Sequence, residues 1–173
     1  MTGIGEHAFS YCDNLTSIKI PDSVTSIGEY AFRYCGSLTS IKIPDSITSI
    51  GDYTLSGCES LTNIKIPDSI ISIGSYAFGF CHSLTSIEIP NSVASMGVAV
   101  FAGCNSLTSV TIPDSVANIG EWAFADCSSL TSVKYLGSKK QAMQLGIGNR
   151  SRKKWRQKSK ISKIICSDGE IEL

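Results

Sequence analysis

No apolar run in the 173 residues approaches the ~18–20 that a bilayer-spanning helix needs, so the sequence offers no transmembrane helix. Histidine is almost absent. His7 and His82 are the only two, and neither has an acid or nucleophile at a fixed spacing, which excludes the common His-centred acid–base and nucleophilic sites. No Gly-rich phosphate loop and no Ca²⁺-loop spacing occurs. No two of the seven cysteines lie closer than 23 residues, so there is no CxxC-type zinc motif. Aromatic residues make up 8%, which leaves aliphatic side chains to fill most of the core. Met1-Thr2-Gly3 leads straight into the pattern described below, without a basic-then-apolar leader. The start falls within a repeat, as expected of a piece of a longer chain.

What the chain does have is a period. Cys12, Cys35, Cys58, Cys81, Cys104 and Cys127 are 23 residues apart, and Leu15, Leu38, Leu61, Leu84, Leu107 and Leu130 follow each by three. A fixed short period signals stacked copies of one supersecondary unit. Within a unit, Leu38, Ile41 and Ile43 alternate with polar residues and read as a short strand. Pro44 ends it, having no N–H for a ladder. Asp22, Asp45, Asp68 and Asp114 follow prolines and suit turns. Ser26 with Glu29, and Asn118 with Glu121, look like helix capping boxes. Ala31, Phe32 and Cys35 then predict a short helical turn. Strands of stacked coils lie ~4.8 Å apart, which sets like residues against like.

The thiols therefore read as core filling. Parallel Cβ vectors near 4.8 Å miss the ~3.8 Å that a disulfide prefers, and zinc ligands must converge on one centre at ~2.3 Å. Cys166, outside the series, is expected at a buried strand position. Free thiols suit a reducing or anaerobic setting.

The unit Ile-Gly-x-x-Ala-Phe-x-x-Cys-x-x-Leu-Thr-Ser-Ile-x-Ile-Pro-x-Ser-Val resembles the BspA-type leucine-rich repeat, over about residues 4–134. Thr54-Leu55 and Val100-Phe101 replace Ala-Phe, and Met96 replaces Ile; these departures read as volume-tolerant. The resemblance implies an α/β solenoid: a leucine-rich repeat arc with a parallel sheet on the concave side and short helices on the convex side. It also implies secreted or cell-surface proteins used for adhesion.

Strand alternation points two columns outward: Ser17, Ser40, Asn63, Ser86, Ser109, Ser132, and Lys19, Lys42, Lys65, Glu88, Thr111, Lys134. A threonine column flanks them. Ser40, Lys42, Asn63, Lys65, Ser86 and Glu88 are the candidate concave site for a protein or glycan ligand. The alternative is a solvated sheet face. Two aromatic rows run along the other side: His7, Tyr30, Tyr53, Tyr76 and Trp122, and Tyr11, Tyr34 and Phe80.

After Lys134 the period fails, dividing the chain into an array, 1–134, and a capping segment, 135–173. Residues 138–147 predict a helix, and Asp168-Gly169 between alternating stretches predicts a hairpin turn. Gly137-Ser138 and the Cys166-to-Gly169 stretch resemble the tail that ends BspA-type arrays, with Met143 near the position of that tail's tryptophan. Net charge is zero, but residues 1–138 hold 5 Lys/Arg against 12 Asp/Glu, and 139–173 hold 10 against 3. Arg150, Arg152, Lys153, Lys154 and Arg156 are candidates for a polyanion, although a solvated loop is the plainer reading. Rows of like residues do not converge into an active site, so no enzyme, cofactor or metal is expected. Three functions remain: a surface adhesin-like binding module, a polyanion binder, or a structural spacer. The uncapped first coil is an edge on which a second chain could stack.

Overall fold

The computed structural model describes residues 2–148 and 154–173. Arg150, Arg152 and Lys153 lie outside the described residues. Coils one to six take residues 2–24, 25–47, 48–70, 71–93, 94–116 and 117–139, one period each. In chain order the elements are β1 (Gly3–Ile4), β2 (Ser17–Lys19), β3 (Ser26–Ile27), β4 (Ser40–Lys42), β5 (Ser49–Ile50), β6 (Ser72–Ile73), β7 (Ser86–Glu88), β8 (Ser95–Met96), β9 (Ser109–Ile112), β10 (Asn118–Ile119), β11 (Ser132–Tyr135), α1 (Lys139–Leu145), β12 (Lys163–Cys166) and β13 (Gly169–Glu172).

Except at the joint between coils two and three, each coil pairs in parallel with the coil 23 residues on, as Ser17 with Ser40 and Ser86 with Ser109. Two sheet faces result. The longer strands β2, β4, β7, β9 and β11 build one, and the two-residue strands β1, β3, β5, β6, β8 and β10 build the other. Pro-Asp-Ser-Val turns join them, with Val24, Ile47, Ile70, Val93 and Val116 each donating its N–H to the proline carbonyl three residues back. Between the faces runs one core of stacked Ile, Leu, Val, Phe and Cys. Burying each large aliphatic side chain contributes about 1.5–3 kcal/mol before entropy is counted.

The expected helices of the third side are not formed. Ser26 and Asn118, read as helix caps, lie in strands β3 and β10. The residues that follow form linked turns. Tyr30 and Tyr34 adopt φ of 58°, in the left-handed region that an α-helix cannot use. N–H groups alternate between two partners. Ala31, Arg33 and Cys35 donate to the carbonyl three residues back, while Tyr30, Phe32 and Tyr34 donate to Asp52, Thr54 and Ser56 of the next coil. A helix would turn all these donors inward along its own axis. In a solenoid the adjacent coil offers acceptors at the right spacing, and the alternating pattern satisfies both coils.

The thiols join the same network. Cys35, Cys58, Cys81, Cys104 and Cys127 each donate Sγ–H to the carbonyl 26 residues back, at 3.0–3.3 Å. All seven cysteines are free. Burial pushes the Cys35 thiol up to about 11 and Cys127 up to about 12 from an ordinary 9.0.

One joint is irregular. At the joint between coils one and two, Thr25, Gly28 and Thr39 donate to Thr2, Ile4 and Thr16. Between coils three and four, Ile71, Gly74 and Thr85 donate to Thr48, Ile50 and Thr62. Between coils two and three none of the equivalent bonds, from Thr48, Gly51 or Thr62, is made among the described residues. Both sheets lapse there: β3 does not pair with β5, and no strand forms over 61–66. Two substitutions lie at this joint. Leu55 replaces phenylalanine, so the stacks Phe9–Phe32 (5.2 Å) and Phe78–Phe101–Phe124 (5.4 and 5.5 Å) are interrupted. A void of about 10 Å³ remains among Phe32, Ile50, Thr54 and Leu55. Asn63 replaces serine, and its amide donates to Thr62 Oγ1 at 3.2 Å. In other coils the threonine hydroxyl bridges to the neighbouring coil, as Thr85 does to Thr62 O.

The cap imitates a seventh coil. β12 pairs in parallel with β11, and β13 returns antiparallel along it. The hairpin turn is Ser167-Asp168, one residue earlier than Asp168-Gly169, because Cys166 pairs with Gly169 at φ 124°. Asp168 accepts the Lys139 N–H at 2.7 Å, so it restrains the start of α1. Ser138 and Gln141 form a true capping box on that helix. Cys166 is buried on β12, as expected.

Candidate functional site

The long-strand face exposes the expected columns. Ser40 and Lys42 are exposed while Ile41 between them is buried, and Ser86 and Glu88 flank buried Ile87 in the same way. Ser40 and Lys42 sit across the irregular joint, and Lys42 faces Asp22 at 3.8 Å. Asn63, Lys65, Ser86 and Glu88 converge with Asp68 and Pro90 on a groove of about 420 Å³ between coils three and four. Lys65 and Glu88 enter no ion pair among the described residues, so a cation and an anion face solvent side by side. Asp68 belongs to this site and was read from sequence only as a turn residue.

The flanking threonines contribute less than a hydroxyl-rich surface suggests. Thr39, Thr85 and Thr108 donate their hydroxyls to the carbonyls of Thr16, Thr62 and Thr85. Their role is to fasten coils.

On the turn side, His7, Tyr30, Tyr53 and Tyr76 stack with centroids 4.5, 4.9 and 4.8 Å apart. The rings cover one another along the row, so it is a structural rib, with His7 exposed at its end. Arg33 lies 4.6 Å from the Tyr34 centroid and 5.4 Å from Tyr53, tying coil two to coil three. In the second row, Tyr34 leans over Gly57 and Phe80 over Gly103, where φ is 75° and 74°. A Cβ on Gly103 would meet the Phe80 ring at 2.7 Å. Those two glycines, alternating with aromatics at one repeat position, were the sequence signal for left-handed backbone there.

The described part of the basic run is largely engaged within the chain. Lys154 Nζ donates to both Glu121 oxygens at 3.1 and 3.3 Å. Arg156 Nη1 donates to Ile161 O at 2.8 Å, and burial pulls its pKa down. Trp155 is buried edge-on against Phe124 at 6.1 Å. Lys158 and Lys160 remain exposed. The first coil exposes Cys12 and leaves a hollow of about 220 Å³ beside Ile4, Phe9 and Ile18. Among the described residues, no group of three His, Cys, Asp or Glu is placed to hold a metal ion, and no helix is long and apolar enough to cross a membrane.

Residues 2–138 match the family model of the BspA type leucine rich repeat region in six copies. The structure is similar to a leucine-rich repeat protein from Bacteroides ovatus, with 43% identity and a TM-score of 0.74 over 77% of this chain. It is similar to the T. pallidum leucine rich repeat protein, with 31% identity and a TM-score of 0.74, covering 91% of this chain and 78% of that one. The fold is shared with the pneumococcal vaccine antigen PcpA, at 21% identity and a TM-score of 0.56, over 73% of this chain and 33% of that one. This chain spans 34% of the length of the Bacteroides ovatus protein. No curated protein matches it.

Proposed function

The chain belongs to the BspA-type leucine-rich repeat family, and on that footing we propose that it is a non-enzymatic, adhesin-like binding module that grips a protein partner through the groove between coils three and four. The observation that carries this reading is the unpaired Lys65 beside the unpaired Glu88, on a groove with Asn63, Asp68 and Ser86. Both signs of charge on one rim suit a polypeptide bearing acidic and basic side chains, and make the interaction selective rather than merely adhesive. A neutral glycan would use Asn63 and Ser86 and gain little from the charges. Ser40 and Lys42 would extend the contact across the irregular joint. The expected setting is extracellular or at a cell surface.

Binding to a panel of immobilised extracellular-matrix proteins tests this. Lys65→Glu with Glu88→Lys keeps composition but reverses the rim, and should abolish the interaction seen with the unaltered chain. Binding unchanged by that reversal would refute the groove. Polyanion binding along the whole run Arg150–Lys163 and a pure spacer role are weaker readings, because Lys154 is paired with Glu121 and the array beside the run is acidic. Edge-on stacking at the first coil is the proposed route to oligomers, and concentration-dependent sedimentation checks it.

A further inference from the structure

The cap copies the turn edge of a coil with one residue missing. Within the array, Tyr30, Phe32 and Tyr34 donate to Asp52, Thr54 and Ser56, and Tyr53 lies between the first two acceptors. Its ring covers Tyr30. In the cap, Trp122, Phe124 and Asp126 donate to Lys154, Trp155 and Gln157. No residue stands between the first two acceptors, so the position that would carry a covering ring does not exist. Trp155 turns inward to close the core instead. Trp122 is therefore left without a ring partner among the described residues and is 36% exposed. Its indole borders a hollow of about 520 Å³ whose other walls are Lys154, Arg156, Gln157, Lys158 and Ser159.

We propose that this hollow binds an anionic sugar, with one pyranose face against the Trp122 indole and its carboxylate or sulfate toward Lys158 and Arg156. The Arg156 side chain is oriented by its bond to Ile161 O, and its buried Nε has no partner among the described residues. Lys158 holds φ at 57°, which fixes the backbone of the basic wall. Gln157 adds an amide for sugar hydroxyls. Lys154 is compensated by Glu121, which limits the local positive charge. A single flat aromatic wall with two cations that enter no ion pair among the described residues fits a sugar carrying one or two charges. A nucleic acid duplex carries about one charge per 1.7 Å of its axis and would run against the acidic array, where 12 Asp/Glu face 5 Lys/Arg. The hollow lies on the cap, apart from the groove of coils three and four, so the two sites stand or fall separately.

The test uses the whole chain and four probes by calorimetry: a hyaluronan hexasaccharide (carboxylate only), a heparin hexasaccharide (carboxylate and sulfate), neutral maltohexaose and a single-stranded DNA dodecamer. Trp122→Ala is safe for folding, because Ala99 occupies the same repeat position at φ 54°, against 60° at Trp122. Trp122→Ala and Lys158→Glu should each weaken the anionic hexasaccharide by about tenfold or more. Lys65→Glu with Glu88→Lys should leave it unchanged. Preference between the two anionic probes assigns the charge to carboxylate or sulfate. Equal binding of maltohexaose, tighter binding of the DNA, no binding of either anionic probe, or retention in Trp122→Ala would overturn the proposal.

Discussion

Coils three to five and the joint between coils two and three are written in nearly the same residues but held together differently. At the three/four and four/five joints, three sheet-side N–H groups reach the coil before, ending with Ala94, Gly97 and Thr108 donating to Ile71, Ile73 and Thr85. At the two/three joint those three bonds are missing, while the turn side is intact: Tyr30 and Phe32 still donate to Asp52 and Thr54, Tyr53 stacks on Tyr30, and Cys58 donates to Phe32 O. Ser69 also still donates to Ile47 O at 2.6 Å. The solenoid is thus open along its sheets at this joint without being separated along its ribs, and Leu55 and Asn63 lie on the coil that follows the opening. The same joint borders the charged groove, so irregularity and candidate function occupy one place.

The comparison is broken most severely by deleting a core ring on its regular side. Phe101→Ala should cost about 4 kcal/mol in denaturant unfolding, and Leu55→Ala at the open joint clearly less, since part of that packing is already lost. Equal losses would mean the joint is as well packed as the rest. The next largest effect is expected from alkali. Folded Cys35 and Cys127 titrate near 11 and 12, above an ordinary 9.0, so their protonated forms favour the fold. That contribution is complete below pH 9 and is lost as pH rises through 11 to 12. Stability measured from pH 7 to 11 should stay flat and then fall, and Cys104→Ala should reduce the fall while lowering stability at neutral pH. Rebuilding the consensus with Thr54→Ala and Leu55→Phe sharpens the contrast in the other direction. It should add about 1 kcal/mol and raise the melting temperature by a few degrees, roughly 2–4 °C. The smallest change is Asn63→Ser, worth about 0.5 kcal/mol or less, which releases Thr62 Oγ1 to bridge the coils. It should also narrow the groove, and weaker partner binding would accompany it.

Much of this is readable from residues alone, and the exceptions have physical causes. The period, the inward Ile41 and Ile43, the proline stops and the buried thiols follow from spacing and alternation. The helices did not appear because Ala31, Phe32 and Cys35 share a face in a helix and also in a chain of turns. Only the glycines at 57 and 103, aligned with Tyr34 and Phe80, distinguish the two. The groove was half legible: Asn63, Lys65, Ser86 and Glu88 stand in the outward columns, but nothing in the columns shows that the ladder lapses beside them. The uncovered Trp122 was out of reach, since it depends on a residue the cap lacks at a point where the period has already failed.

Amide hydrogen exchange of Thr48, Gly51 and Thr62, set against Ile71, Gly74 and Thr85 one coil on, tests the central contrast most directly. The first three have no inter-coil acceptor among the described residues, and the second three donate at 2.9, 2.8 and 3.2 Å. The structure predicts that the first set exchanges faster by about 100-fold. Equal protection in the two sets would contradict it, by showing that the sheets run unbroken through coil three.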